Sequence, residues 1–170
     1  MSGPFSDPEF VAGLRPIPSG IGDAAPSWPA VDLHGARPDG TPVTVALAEV
    51  DRPLLLVFLT TDCDGCGLFW EGLSDPPTGV TAVVVTKAPG AVDPIEVDRL
   101  ATAPVVMSDA AWADYRVTGY PFLVLVDPSE RRIVAESVGF AWSDVDALLA
   151  PWVGQTAPRN FPIRTTPRNR

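Results

Sequence analysis

The 170 residues suit one domain with ragged ends better than two, and a hydrophobic fraction of 46% with mean hydropathy +0.16 implies a packed core rather than disorder. The formal charge of −9 argues against nucleic acid as the main partner, because a polyanion is held by clustered Lys and Arg. That charge is uneven: from Gln155 onward there are four arginines (Arg159, Arg164, Arg168 and Arg170) and no acid.

In chain order, residues 1–29 hold six prolines and scattered apolar side chains, among them Phe10 and Trp28. They are expected to form an extended arm outside the domain. The first thirty residues carry neither a basic segment nor an apolar run of seven, so the chain as given is expected to act without a membrane anchor, in the cytoplasm. An extracytoplasmic protein trimmed of an anchor would read the same. The domain itself is expected over 30–153 and to be a monomer, followed by a basic, flexible tail over 154–170.

A short strand is predicted at Ala30–Leu33. Arg37-Pro-Asp-Gly-Thr41 has turn chemistry, and Pro42–Val45 should return as the second strand of an N-terminal β-hairpin. Leu54–Leu59 is an uninterrupted apolar run of strand length, as expected for a strand buried on both faces. Val80–Val85 and Phe122–Val126 have the same character. Helical stretches are expected at Cys66–Leu73, Pro94–Leu100 and Asp109–Tyr115, and Pro104–Met107 is expected to add an edge strand. Arg132–Val138 follows the turn Asp127–Glu130 and should run antiparallel to its predecessor. Ser143–Leu149 should be a last helix, with Ser143 as N-cap and Asp144 and Asp146 in its first turn. The pattern is α/β: a central mixed β-sheet flanked by helices.

Both cysteines lie in Thr60-Thr-Asp-Cys-Asp-Gly-Cys-Gly-Leu-Phe-Trp70, just after the most apolar run and at the start of a predicted helix. Unpaired N–H groups at a helix start favour a thiolate at Cys63, and the two-residue spacer puts Cys66 one turn on, within reach of a mixed disulfide at Cys63. This favours thiol–disulfide exchange. Three other readings stand beside it. A zinc site wants four ligands, and His34 is the only further candidate, more simply a surface histidine. A structural disulfide would close a tiny loop and gain little chain entropy. A peroxidatic cysteine would suit Thr60, three residues before Cys63, but that pattern has proline where Leu56 stands. No metal or cofactor is expected.

Downstream, Val117-Thr-Gly-Tyr-Pro-Phe-Leu-Val-Leu-Val126 sets a proline at the mouth of a buried strand, where it cannot donate to a ladder. With Cys63-Asp-Gly-Cys66 and Gly119-Tyr-Pro-Phe122 as anchors, the chain from about Ala30 to about Leu149 resembles the thioredoxin superfamily. It is most similar to the TlpA/ResA-like branch that includes MauD-type proteins. The resemblance implies a thioredoxin-like fold and thiol–disulfide exchange with a protein substrate, recycled by a further redox partner. It implies that Cys63 and Cys66 are the catalytic pair, that Pro121 is a cis-proline facing them, and that the backbone of Tyr120 pairs with bound peptide. Thr118, Gly119, Asp62 and Asp64 would complete the groove.

Departures bear on the chemistry. Asp62 replaces the tryptophan that thioredoxins carry before the first cysteine, Asp64-Gly65 replaces Gly-Pro, and Val57 stands where thioredoxins bury an acid. Two flanking carboxylates oppose thiolate formation at Cys63. Glu71, Asp62 or Asp64 are the candidates for the missing proton acceptor. Trp70, Trp112 and Trp142 are expected in the core, with Phe69 or Trp70 lining the cysteine groove. A redox-idle thioredoxin-fold module that binds or matures a partner beside Pro121 is the alternative from another functional class. A peroxiredoxin-like peroxidase is a lesser one.

Overall fold

Five consecutive apolar residues must be shielded on two sides, and Leu54–Phe58 is shielded by lying inside a sheet with helices on both faces. The computed structural model describes residues 28–153. Most of the expected arm and all of the basic tail lie outside the described residues. The strands are β1 (Leu33–Ala36), β2 (Pro42–Val45), β3 (Leu54–Phe58), β4 (Thr81–Thr86), β5 (Val105–Met107), β6 (Phe122–Asp127) and β7 (Arg132–Val138). The helices are α1 (Gly67–Gly72), α2 (Pro94–Leu100), α3 (Asp109–Asp114) and α4 (Ser143–Val153). All seven strands form one sheet in the order β2-β1-β5-β4-β3-β6-β7.

β3 runs parallel to β4 and antiparallel to β6, so the sheet is mixed and every residue of β3 is buried. Side-chain alternation divides the core in two. Leu55, Val57 and Leu59 face Cys66, Phe69, Trp70 and Leu73 near α1, Val97 of α2, and Val145 and Leu148 of α4. Leu54, Leu56 and Phe58 face Val83, Val85 and Ile133 with Ala111, Trp112 and Tyr115 near α3.

Local chemistry sets the boundaries. Asp93 caps α2 by accepting from the Ile95 N–H at 3.0 Å, with Pro94 where a missing N–H costs nothing; Ser108 caps α3 by accepting from Ala111 at 3.1 Å. In the hairpin turn Gly40 takes φ +85°, and the Asp39 carboxylate accepts from the Thr41 N–H at 2.9 Å.

Three expectations need correction. The first strand is Leu33–Ala36, not Ala30–Leu33. The segment before it is drawn to the far end of β7, where Ala30 N–H donates to Arg131 and Ile133 N–H to Trp28. β5 is an interior strand rather than an edge, because the hairpin docks on it: Ala36 pairs with Met107, and the Ser108 hydroxyl donates to the His34 carbonyl at 2.6 Å. Gly35 permits that approach, since a Cβ there would strike the Met107 carbonyl. Finally, α4 runs through Pro151 to Val153, because Trp152 extends the apolar face that Leu148 and Leu149 begin. Ser143 is the first residue of α4 rather than its cap, and the Asp144 carboxylate ties down the segment before the helix, accepting from the N–H groups of Phe140 and Ala141 at 2.7 and 2.9 Å.

Candidate active site

The site grows from the end of β3. Leu59 still donates to the Val85 carbonyl at 3.1 Å, and the Thr60 carbonyl accepts from the Trp70 indole at 3.1 Å, which locks the backbone just before the cysteines. Thr60 is buried and its hydroxyl has no hydrogen-bond partner. Cys63 is extended (φ −104°, ψ 120°) and caps a single 3₁₀ turn, Asp64–Cys66, whose last N–H donates back to the Cys63 carbonyl at 3.1 Å. α1 follows at once. The turn sets the two Cα atoms 5.2 Å apart, and the cysteines form a disulfide. Cys66 is 0% exposed inside the core, whereas Cys63 is half-buried at its rim. Asp62 and Asp64, on either side of Cys63, are exposed.

The second half is delivered by strand register. β6 runs antiparallel to β3 with Phe122 opposite Phe58, so the residues just before Phe122 reach the sheet end where the cysteines emerge. Pro121 is buried there, and the Tyr120–Pro121 peptide bond is cis. The bend between the cysteines lies against the proline: a Cβ on Gly65 would stand 3.6 Å from Pro121 Cδ. Thr118 and Gly119 are exposed on the approach. Tyr120 is 47% exposed and stands edge-on to Trp112 at 5.9 Å, while the Lys87 ammonium sits 4.7 Å from the same indole. The Trp112 N–H is buried without a partner.

Several expected groups fall into place around this pair. Phe69 and Trp70 are buried in the same core cluster as Cys66, and Trp112 is core as expected, with Trp142 half-buried against Phe69 at 6.1 Å. Val57 is fully buried, an apolar side chain where thioredoxins bury an acid, and Glu71 is exposed. His34 lies on β1, with Nδ1 3.1 Å from the Thr44 hydroxyl.

Gly139 and Phe140 were missed from sequence. β7 pairs with β6 so that Val138 lies opposite Phe122, which brings the following residue beside Pro121, whose carbonyl accepts from the Gly139 N–H at 2.9 Å. Gly139 rests on Phe69, where an added Cβ would lie 2.5 Å from the ring. Phe140 beside it is 80% exposed. The signal was available in the predicted β6–β7 hairpin, since antiparallel pairing obliges the end of one strand to meet the start of the other.

No protein-family model and no curated protein sequence matches the chain. Solved structures do. A thio-disulfide isomerase from Thermus thermophilus is 29% identical, with TM-score 0.54, and the match covers 74% of this chain and 96% of that one. A putative thiol:disulfide interchange protein DsbE from Chlorobium tepidum is 19% identical, with TM-score 0.60, covering 78% of this chain and 98% of the other. A pneumococcal exposed lipoprotein thioredoxin from Streptococcus pneumoniae is 18% identical, with TM-score 0.56, covering 71% and 99%. The fold and the cysteine pair define a thioredoxin-like protein with a C-x-x-C disulfide. Its structural relatives are thiol–disulfide oxidoreductases of the thioredoxin superfamily. Among the described residues no helix is long and apolar enough to cross a membrane.

Proposed function

We propose that this protein is a thiol–disulfide oxidoreductase acting on a protein disulfide, with Cys63 as the sulfur that meets substrate. The observation that carries the reading is the unequal burial of the bonded pair, Cys66 sealed in the core and Cys63 at its rim. An exposed sulfur can be approached along the S–S axis by an external thiolate; a sealed one can only leave and return.

In the reducing direction the Cys63 thiolate attacks one substrate sulfur, forming a mixed disulfide and expelling the other as a thiolate that takes a proton from water. The Cys66 thiolate then attacks Cys63 Sγ, re-forming the internal disulfide and releasing the second substrate thiolate. The substrate gains two electrons and the pair loses two; the oxidising direction reverses each step. Start-of-helix N–H groups stabilise the Cys63 thiolate, while Asp62 and Asp64 oppose it. Tyr120, Pro121, Thr118 and Gly119 form the wall along which substrate backbone lies, in keeping with the TlpA/ResA-like resemblance.

A Cys66→Ser variant tests this directly. It is expected to accumulate a mixed disulfide through Cys63 when given an oxidised protein substrate, visible as a reducible adduct, and Cys63→Ser is expected to form none. A limiting alkylating reagent on the reduced protein should label Cys63 first. Partner retention by the double serine variant, with no exchange by the native chain, would overturn the reading in favour of a redox-idle binding module. The reduction potential assigns direction: about −270 mV makes a reductant and about −120 mV an oxidant.

A further inference from the structure

Phe140 is 80% exposed, the most exposed large apolar side chain among the described residues, yet its backbone is held tightly. Its own N–H and that of Ala141 both donate to Asp144, and the N–H of Gly139 donates to Pro121. Gly139 is pinned on Phe69 with no room for a Cβ. Three backbone N–H groups, the Asp144 carboxylate and the Pro121 carbonyl thus fix the backbone around a phenylalanine whose side chain is largely exposed. A preorganised aromatic loses little freedom on binding and is the usual kind of interface anchor.

Two further exposed apolar side chains belong to the segments that carry the cysteines and Pro121. Leu68, three residues beyond Gly65, is 51% exposed, and Tyr120 is braced by Trp112. Directly beside Cys63 the charge is negative. Asp62 and Asp64 flank Cys63, both exposed and without an ion pair among the described residues. Of the nearby bases, Lys87 lies over the Trp112 ring that also braces Tyr120, and Arg116 lies over Trp28 with 3.9 Å between guanidinium and ring centre.

We infer that the collar of Phe140, Tyr120 and Leu68 around Asp62 and Asp64 docks a polypeptide whose disulfide is flanked by an apolar residue and by Arg or Lys. The inference rests on the exchange reading and adds the substrate class. Basic neighbours in the partner meet the unpaired carboxylates beside Cys63, and its apolar residue covers Phe140. Acidic neighbours would meet like charge at the reacting sulfur.

The test compares two synthetic peptides, each closed by one disulfide and carrying one Phe, flanked by Arg in one and Glu in the other, with hydroxyethyl disulfide as an uncharged small substrate. The reduced native chain is expected to reduce the Arg peptide with kcat/KM at least tenfold above the Glu peptide at low salt. That preference should collapse in 1 M NaCl, where the screening length is about 3 Å. Phe140→Ser should lower the ratio of kcat/KM for the Arg peptide to that for hydroxyethyl disulfide about tenfold. Equal rates for the two peptides, or an unchanged ratio in Phe140→Ser, would overturn the docking while leaving exchange intact. Inertness toward hydroxyethyl disulfide as well would overturn the exchange reading itself. Concentration-dependent self-association of the native chain that Phe140→Ser abolishes would assign the collar to a second copy instead, and so overturn the proposed occupant.

Discussion

The two ends of the sheet treat polar groups in opposite ways. At the far end, where the chain enters the domain, they are consumed. The Tyr115 hydroxyl donates to the Val31 carbonyl at 2.6 Å and accepts from the Val31 N–H at 3.3 Å. Asp32 accepts from the Leu47 N–H and pairs with Arg131, both at 3.0 Å. At the redox end the Thr60 hydroxyl and the Trp112 N–H are buried without partners, two aspartates stand open beside Cys63, and Phe140 faces solvent. A buried group without a hydrogen bond costs about 1 to 3 kcal/mol, so such features persist at the end where the chain does its chemistry. The entry corner is built for stability and the redox end for encounter.

That contrast is broken or sharpened most strongly at Tyr115, fully buried between the α3 layer and the entry segment. Tyr115→Ala is expected to lower unfolding free energy by about 3 to 5 kcal/mol, the range for emptying a large aromatic site. A urea titration at constant slope measures it. Alkylation of Cys63 in the still-folded variant should keep the native rate. A marked change there would mean that the two ends are not independent.

A smaller effect is expected in alkali. Burial pushes the Tyr115 phenol up to about 12, helped by the charges of Asp32 and Asp114 and resisted by its hydrogen bond to Val31 and by Arg131. The folded pKa is therefore above the unfolded value of about 10, so the unfolded chain loses its proton first. The associated stability is complete below pH about 10 and is lost as pH rises toward 12, by on the order of 2 to 3 kcal/mol. Tyr115→Phe should remove this alkaline slope. A slope that survives belongs to another group.

The smallest effect is expected at the redox end. Replacing Asp62 and Asp64 by Asn should lower the Cys63 pKa, read from thiolate absorbance in the reduced protein, and speed its alkylation at neutral pH by less than tenfold. Global stability should stay within about 0.5 kcal/mol, as for surface changes generally. An unchanged pKa would mean that solvent screens both carboxylates from the sulfur.

The site was legible in sequence to the extent that its parts were local. Cys63 and Cys66 share one turn, and the proline at the mouth of an apolar run marked the other wall. Gly139 and Phe140 were missed, because nothing in Gly-Phe-Ala is unusual by itself and only the pairing implied by the β6–β7 hairpin sets it beside Pro121. The interior position of β5 escaped for the same reason. A three-residue strand of Val-Val-Met suits an edge or a centre equally, and only the docking of the hairpin across Gly35 decides.

Periodicity and punctuation therefore determined what each segment is: an apolar run with no polar face must be buried on both sides, and Pro, Gly, Asp and Ser at fixed offsets set where elements start. Those are properties of a few neighbouring residues, and they are written in the chain. Which segments meet was left to the tertiary structure. Pairing register and the exposure of Phe140 depend on contacts between residues far apart in sequence. Such contacts are chosen by the burial of the whole core rather than by any one stretch.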